Sequence, residues 1–293
     1  MTGTLNQTEI LRYRDQGYLC PLDVLSADEA AGHRAALEAI EQRYAGGGLP
    51  RPIGHYLRVG AHLAMDLPLQ LARDPRILGR VESILGPDIA LWSGEYFVKE
   101  AGATKIVSWH QDLTYWGMEG SDHEVTAWLA LSPATRQSGC MKFLPGSHKQ
   151  SLQPHVDTFA ENNLLSRGQE VAVEVDERQA FHAELQPGQM SLHHGRLFHA
   201  SGPNDSADRR IGLVLRFIRP DTPVQDKGRD FAVLLSGVDR VQNRINVAPP
   251  AGTLTAAHLA LYEEVLAAQS ATLGAGLEDP GQLYQGNDNV IYQ

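Results

Sequence analysis

The stretch RIGLVLRFIRP, residues 210–220, predicts a β-strand with two unlike faces. Successive side chains of a strand point to opposite sides of the sheet. One face is entirely apolar and should pack under helices: Ile211, Leu213, Leu215 and Phe217. The other should face the interior of a barrel: Arg210, Gly212, Val214 and Arg216. An arginine on an inward face is unfavourable unless an anion pairs with it.

Short apolar or alternating runs, bounded by Gly, Pro, Asn and Asp, fill the chain from about residue 89. Besides residues 210–220, these runs are IALWSGEYFVKE (89–100), EVTAWLALSP (124–133), CMKFLPGS (140–147), EVAVEV (170–175) and GQMSLHH (188–194). Many short strands separated by turn residues are typical of a β-sandwich or β-barrel. We therefore expect a mainly β protein whose core covers residues 89–220.

Helical patterns flank this core on both sides. QTEILRYRDQGYL (7–19) has helical spacing and a stop at Gly17, and Ser26 with Glu29 forms a capping box for a helix to about Tyr44. Asp74-Pro75 opens a short helix that ends at Gly86.

We expect residues 1–88 to be mainly helical and residues 252–272 to form a C-terminal helix. Neither a repeat nor a linker divides the chain, so residues 1–293 are predicted to form a single domain. Two long irregular segments, 46–60 and 147–168, are candidates for lids over a site.

Composition excludes several classes of function. The net charge of -10 argues against general nucleic-acid binding, which needs clustered basic residues. Cys20 and Cys140 lack metal-site spacing and suit a reducing compartment. No signal peptide or membrane-spanning run is visible, so we expect a cytoplasmic protein without a membrane partner. Oligomeric state is left open.

The stretch SWHQDLTYW (108–116) contains a candidate metal site. In a strand His110 and Asp112 point to the same side, and together they supply two ligands of the 2-His-1-carboxylate triad that holds non-haem Fe(II). By itself the pair is weak evidence, because HxD is common by chance.

A third ligand should come from HHGRLFHASGPN (193–204). His199 lies before a turn, at the expected barrel mouth, and is the preferred candidate. His193 and His194 are then expected to be surface or hydrogen-bonded core histidines. Arg210 would have a bound carboxylate as its natural partner; otherwise it lies at the rim or pairs with a protein carboxylate. Arg209 is expected to face solvent.

Taken in order, WHQD, TAWLAL, LPGSHK, HASGPN and the arginine that follows resemble the phytanoyl-CoA dioxygenase family. The resemblance covers roughly residues 8–220 and includes DQGYL (15–19). It implies a double-stranded β-helix (jelly-roll, cupin-like) core, with Fe(II), 2-oxoglutarate and O2 as cofactor and cosubstrates.

Residue roles follow from the same resemblance. His110, Asp112 and His199 match the iron ligands, and Arg210 matches the arginine that binds the distal carboxylate of 2-oxoglutarate. Three further residues match positions of the cosubstrate pocket: Ser201, Trp128 and Lys99. For Trp128, packing in the core is an equal alternative.

The implied activity is hydroxylation of an unactivated C–H bond in a small molecule, with release of succinate and CO2. Because halogenase relatives carry Ala or Gly in place of Asp112, chloride transfer is disfavoured. Tyr115, Trp116 and Arg216 are candidates for substrate contact.

Other outcomes of the same cofactors are desaturation, epimerisation and cyclisation, and the sequence does not separate them. A non-catalytic jelly-roll protein would be expected to have lost a ligand or the arginine. A zinc hydrolase would leave Arg210 without a function.

Overall fold

The computed structural model describes residues 3–118, 122–158, 160, 162–165, 168–224, 230–249 and 251–273. Within them the helices are α1 (Gln7–Gln16), α2 (Ala27–Tyr44), α3 (Ile53–Arg58), α4 (Ala61–Ala64), α5 (Asp66–Ala72), α6 (Pro75–Leu85) and α7 (Ala256–Leu273). The strands are β1 (Tyr18–Asp23), β2 (Ile89–Lys99), β3 (Val107–His110), β4 (Glu124–Ala130), β5 (Met141–Phe143), β6 (His155–Asp157), β7 (Gln169–Val171), β8 (Phe181–Ala183), β9 (Gln189–His193), β10 (His199–Ser201), β11 (Arg210–Ile218), β12 (Phe231–Ser236) and β13 (Ile245–Asn246).

Two main sheets form the core. The larger sheet has the strand order β1-β9-β4-β11-β2-β12-β13, and the smaller has the order β3-β10-β5-β8. Side chains from both sheets line one shared cavity, so the sheets face each other. Strands that lie far apart in sequence are neighbours in each sheet, as the jelly roll requires. The predicted mainly β, jelly-roll fold with flanking helices is confirmed.

Strand β11 lies at the centre of the larger sheet, between β4 and β2. Its apolar face joins a buried cluster that includes Leu37 of α2, Ile77 and Val81 of α6, and Tyr262 of α7. Its opposite face borders the cavity through Arg210, Val214 and Arg216. The alternation of residues 210–220 therefore separates a helix-covered core from an interior site, as predicted.

The predicted helix boundaries rest on local capping. Ser26 caps α2 in a capping box with Glu29, and Asp74 accepts a hydrogen bond from the Arg76 amide at the start of α6. Gly17 ends α1 with φ 82, a conformation that glycine adopts without strain. The C-terminal helix begins at Ala256, four residues after the predicted start at 252.

Several sequence expectations for the fold are corrected by the structure. Tyr18–Asp23, whose first residues closed the predicted helical stretch, is strand β1 and pairs with β9. The segment 46–60, expected to be irregular throughout, contains the buried helix α3, which packs against β2. The run 170–175 contributes only the end of the short strand β7.

The core also extends beyond residue 220. Strand β12 pairs with β2 and continues the larger sheet. Among the described helices, none combines the length and apolar character needed to cross a membrane.

Candidate active site

Three side chains converge inside the barrel as a cluster able to hold a metal ion. His110 ends β3, His199 begins β10, and the two residues are direct antiparallel partners in the smaller sheet. Asp112 follows β3 in a 3-10 turn rather than on the strand itself, but Gln111 keeps extended backbone angles and the carboxylate still points inward. One ligand atom from each residue lies within 4.8 Å of the others, and all three residues are buried. We call His110, Asp112 and His199 the metal cluster.

Backbone contacts orient both imidazoles of the metal cluster. Nδ1 of His110 lies 2.9 Å from the Ser108 carbonyl oxygen, and Nδ1 of His199 lies 2.9 Å from the Leu197 carbonyl oxygen. A carbonyl can only accept, so Nδ1–H donates in each ring and Nε2 keeps its lone pair. Such contacts fix the tautomer of metal-binding histidines. Both Nε2 atoms approach Asp112 Oδ1, at 3.4 Å for His110 and 3.8 Å for His199.

The surroundings of the metal cluster favour a carboxylate at Asp112 and a neutral imidazole at His199. Burial alone would raise the pKa of Asp112, but the Arg216 guanidinium and the neighbouring histidines outweigh it and hold the pKa well below its usual value. Burial lowers the pKa of His199 well below its usual value, and the nearby His110 adds to this effect. These are the protonation states that a divalent cation needs in its ligands.

A buried arginine and a buried lysine lie next to each other, and the arginine lines the same cavity. Arg210 and Lys99 are direct partners across β11 and β2, and each is 1% exposed. Within the described part of the chain, neither forms an ion pair with a carboxylate. Arg210 donates to the Gly139 carbonyl oxygen at 2.9 Å, and its Nε has no hydrogen-bond partner. Lys99 donates to Ser201 Oγ at 2.7 Å and to the Gly202 carbonyl.

The lack of a counter-ion is visible in the pKa values of both groups. Burial lowers the pKa of Lys99 to about 5, with repulsion from Arg210 as the next cause. Burial likewise lowers the pKa of Arg210 to about 10. We call Lys99, Ser201 and Arg210 the anion pocket. A buried guanidinium at the cavity wall, without a carboxylate partner among the described residues and with a lysine beside it, suits a ligand that carries a carboxylate.

Trp128 forms one wall of the cavity beside the anion pocket. The Arg210 guanidinium lies over its indole ring, 5.2 Å from the centroid. On the neighbouring strand, Gly212 leaves the space that this ring fills, because a Cβ there would overlap the indole. The glycine in the middle of β11 is therefore explained by Trp128, which both packs the interior and lines the cavity.

The three residues predicted to contact substrate have different positions. Arg216 lies in the cavity wall, as the alternation predicts. Trp116 packs against Trp92 with tilted rings whose centroids are 5.0 Å apart, and it lies under the Arg216 guanidinium. It therefore belongs to a side cluster and is not among the residues of the cavity wall. The side chain of Tyr115 lies outside the described residues.

Arg216 is held by protein carboxylates. Its Nη1 lies 3.0 Å from Glu95, which also pairs with Arg58 at 3.0 Å. Its Nε lies 3.9 Å from Asp112 of the metal cluster. Burial would raise the pKa of Glu95, but Arg216 and Arg58 outweigh it and lower the pKa. Sequence reasoning missed Glu95 and Arg58, because α3 and β2 meet only in the folded chain.

Two polar residues of the cavity wall were also missed by sequence reasoning. His193 is 1% exposed, and neither ring nitrogen has a hydrogen-bond partner among the described residues. His193 is therefore a core histidine rather than a surface one, and its Nε2 lies 3.8 Å from Asp112 Oδ2. Thr126 lies beside it on β4, and its Oγ1 also has no such partner. The inward position of both follows from alternation along β9 and β4, which is the signal that could have found them.

The second lid candidate and Arg209 both lie near the site. Leu165, in the second lid candidate 147–168, lines the cavity, while residues 159, 161, 166 and 167 of that segment lie outside the described residues. Arg209, expected to face solvent, pairs with Glu41 at 2.8 Å and with Glu100 at 2.9 Å. That expectation is wrong because α2 packs over the start of β11.

Fold and site together define a jelly-roll protein with a buried His-Asp-His cluster and an adjacent anion pocket. The chain belongs to the phytanoyl-CoA dioxygenase (PhyH) family, whose model matches residues 13–212. This match spans the metal cluster and the anion pocket.

Individual relatives agree with this membership. The chain is 31% identical over 150 residues to the human peroxisomal phytanoyl-CoA dioxygenase, covering 50% of this chain and 44% of that protein. It is 31% identical over 164 residues to a probable alpha-ketoglutarate-dependent hypophosphite dioxygenase of Stutzerimonas stutzeri, covering 55% and 56%. The chain thus spans about half the length of these relatives. A solved structure described as a non-heme monooxygenase, ThoJ in its apo form, is 28% identical with a TM-score of 0.81, covering 90% of this chain and 97% of that one.

Proposed function

We propose that this protein is an Fe(II)- and 2-oxoglutarate-dependent dioxygenase that hydroxylates an unactivated C–H bond of a small molecule, with release of succinate and CO2. The observation that carries the proposal is one cavity that joins the buried metal cluster to a buried anion pocket. Two-histidine, one-carboxylate sets leave coordination positions open on non-haem iron, and this set has the donor atoms and protonation states for that role.

In this proposal His110, Asp112 and His199 bind the iron through two Nε2 atoms and one carboxylate oxygen. Their buried position keeps the ion away from bulk water. When bound, the iron and its cosubstrate supply the oxidising chemistry, and the protein contributes binding, orientation and exclusion of water.

The anion pocket would bind the distal carboxylate of 2-oxoglutarate. Arg210 can bind it with two parallel hydrogen bonds, because a guanidinium matches the geometry of a carboxylate. Ser201 and Lys99 lie beside it, and a bound carboxylate would favour the charged form of Lys99. Trp128 would close the side of this pocket. Arg210 would then have the counter-ion that the rest of the described chain does not provide, and Lys99 would gain a partner for its protonated form.

We also propose that residues 1–293 form one oxygenase domain and that its substrate is a small molecule. Substrate would bind in the part of the cavity that Arg216 and Leu165 line. Contact of Tyr115, Trp116 and Arg216 with substrate stays a prediction.

Activity can be tested before the substrate is known. Oxygenases of this type turn over 2-oxoglutarate slowly without substrate, so purified protein with 2-oxoglutarate, Fe(II), ascorbate and O2 should form succinate. Asp112→Ala should abolish this succinate, and Arg209→Met, outside the cavity, should leave it unchanged. Wild-type protein that binds neither Mn(II) nor 2-oxoglutarate and forms no succinate would contradict the proposal.

Candidate substrates are then screened for faster succinate formation, with product mass as the second readout. Hydroxylation adds one oxygen atom to the product. Loss of two hydrogen atoms, or an unchanged mass, would instead show desaturation, cyclisation or epimerisation.

A further inference from the structure

The two oxygens of Asp112 have different surroundings. Oδ1 faces the ligand atoms of His110 and His199, at 3.4 Å and 3.8 Å. Oδ2 faces Nε2 of His193 at 3.8 Å and Nε of Arg216 at 3.9 Å. One oxygen is therefore directed to the metal position, and the other to two nitrogen groups of the opposite sheet.

Sheet geometry produces this arrangement. Thr126 on β4 is the register partner of His193 on β9 and also of Arg216 on β11. His193 and Arg216 thus lie on the two strands that flank β4, roughly 10 Å apart at a strand spacing near 4.8 Å. Asp112, which follows β3 of the smaller sheet, extends its carboxylate across the cavity to lie near both.

His193 Nε2 and Arg216 Nε have no other hydrogen-bond partner among the described residues. Both ring nitrogens of His193 and the Nε of Arg216 lack one within the described residues, although both side chains are buried. Buried polar atoms without partners are unfavourable, typically by about 1–3 kcal/mol each. Arg216 is nevertheless held in place, because its Nη1 is paired with Glu95, which is fixed in turn by Arg58 and by Ser93 at 2.9 Å.

We propose that His193 and Arg216 are positioning residues that hold Oδ2 of Asp112, so that Asp112 binds the metal through Oδ1 alone. The inference rests on the proposed function, because it assigns a role toward the iron. A shift of less than about 1 Å brings each nitrogen within the usual hydrogen-bond distance of Oδ2. Both groups can donate: Arg216 through its Nε–H, and His193 through a protonated Nε2 of the neutral ring.

A single-oxygen mode has a chemical consequence. A carboxylate that binds through both oxygens takes one more coordination position, which 2-oxoglutarate or O2 requires. Residues that fix metal ligands from behind typically change metal affinity or activity by about 10–100-fold when they are replaced. His193 and Arg216 would therefore set both the strength and the geometry of the metal site.

The test uses metal ions alone and does not depend on a substrate. His193→Phe removes the ring donor and fills the space with an aromatic ring that has no polar atom. Arg216→Lys keeps the positive charge near Glu95 and removes the Nε–H. His193→Gln restores a donor. His194→Phe is the matched control, because His194 contacts Asp122 and does not line the cavity.

Mn(II) affinity and the visible spectrum of the Co(II)-substituted protein are measured anaerobically for each variant. We expect His193→Phe and Arg216→Lys each to weaken Mn(II) binding by about 10–100-fold and to change the Co(II) band intensities. His193→Gln should recover most of the affinity, and His194→Phe should match the wild type. A variant that only loosens the fold would move its urea midpoint and leave the Co(II) spectrum unchanged.

The outcomes separate this inference from the proposed function. If the wild type binds Mn(II) and 2-oxoglutarate and His193→Phe matches it in Mn(II) affinity and Co(II) spectrum, the positioning role is wrong and the proposed function stands. If the wild type binds neither, both are wrong. His193→Phe is decisive by itself should Arg216→Lys fail to fold, since Arg216 also belongs to the ion pairs with Glu95.

Discussion

Replacing Arg210 by methionine should separate ligand binding from stability. In the ligand-free protein this arginine is a buried cation without a carboxylate partner in the described structure, and its pKa is lowered to about 10. Relative to the ordinary 12.5, this corresponds to an unfavourable electrostatic free energy of about 3 kcal/mol. The substitution loses one hydrogen bond to Gly139 and the contact with the Trp128 ring, together worth about 1–2 kcal/mol. We therefore expect the ligand-free variant to be as stable as the wild type, or more stable by about 1–2 kcal/mol.

The same substitution, Arg210→Met, should weaken the binding of 2-oxoglutarate. Loss of a buried, hydrogen-bonded charge partner costs about 2–5 kcal/mol, which raises Kd by about thirtyfold to several thousandfold. At a concentration of 100 times the wild-type Kd, 2-oxoglutarate stabilises the wild type by about 2.7 kcal/mol, and it should stabilise Arg210→Met by less than about 1 kcal/mol.

Urea unfolding with Mn(II), in the presence and absence of 2-oxoglutarate, measures both effects without turnover. Arg209→Met is the control, because Arg209 is paired with Glu41 and Glu100 and lies outside the cavity. It should lose stability and keep the full response to 2-oxoglutarate. The reasoning is refuted if Arg210→Met loses more than about 2 kcal/mol without ligand, or if it keeps the wild-type response.

Three further outcomes follow from the same cavity. Lys99 has a pKa of about 5 in the folded protein and 10.5 in the unfolded chain. Between these pH values the unfolded chain binds one more proton than the folded protein. The free energy of unfolding of the ligand-free protein therefore rises with pH, by up to about 1.4 kcal/mol per pH unit from this group. Urea unfolding from about pH 6 to 9 measures this slope as the difference in free energy of unfolding between the wild type and Lys99→Met. If the two proteins show the same dependence of stability on pH, the lowered pKa of Lys99 is excluded. Calorimetry at pH 7 in buffers of different ionisation enthalpy should show proton uptake when 2-oxoglutarate binds to the wild type and none in Lys99→Met; equal values would count against a neutral Lys99. Gly212→Ala should cost about 1–3 kcal/mol of stability and weaken 2-oxoglutarate binding, because the added methyl displaces the Trp128 indole toward Arg210; an unchanged urea midpoint would show that the ring moves freely.

Local patterns accounted for much of the fold. Alternation along residues 210–218 separates the helix-covered face of β11 from the cavity face, and this depends only on the two-residue period of a strand. Capping residues such as Ser26 and Asp74 act within one helical turn, so they can be recognised without tertiary structure. Strand β1 was not predicted, because its pairing with the distant β9 stabilises it.

In the site, too, the residues that follow a local pattern were predicted and the long-range contacts were not. His110 and Asp112 are near in sequence, and their shared direction survives even though Asp112 lies in a turn rather than in the strand. The partners of the charged groups could not be predicted: Arg58 meets Glu95 only because α3 packs on β2, and Arg209 is covered by α2 through Glu41. These ion pairs join residues far apart in the chain, and no local pattern in the sequence indicates which residues will pair.

The central claim is that one cavity binds Fe(II) through the metal cluster and 2-oxoglutarate through the anion pocket. Anaerobic titration of 2-oxoglutarate into the Fe(II)-loaded protein tests it most directly, through the weak visible metal-to-ligand charge-transfer band of the chelate. The account predicts that the band appears in the wild type, is absent in His199→Ala, and requires much more 2-oxoglutarate in Arg210→Met. Folded wild-type protein that shows no band, or a band unchanged in both variants, would contradict it.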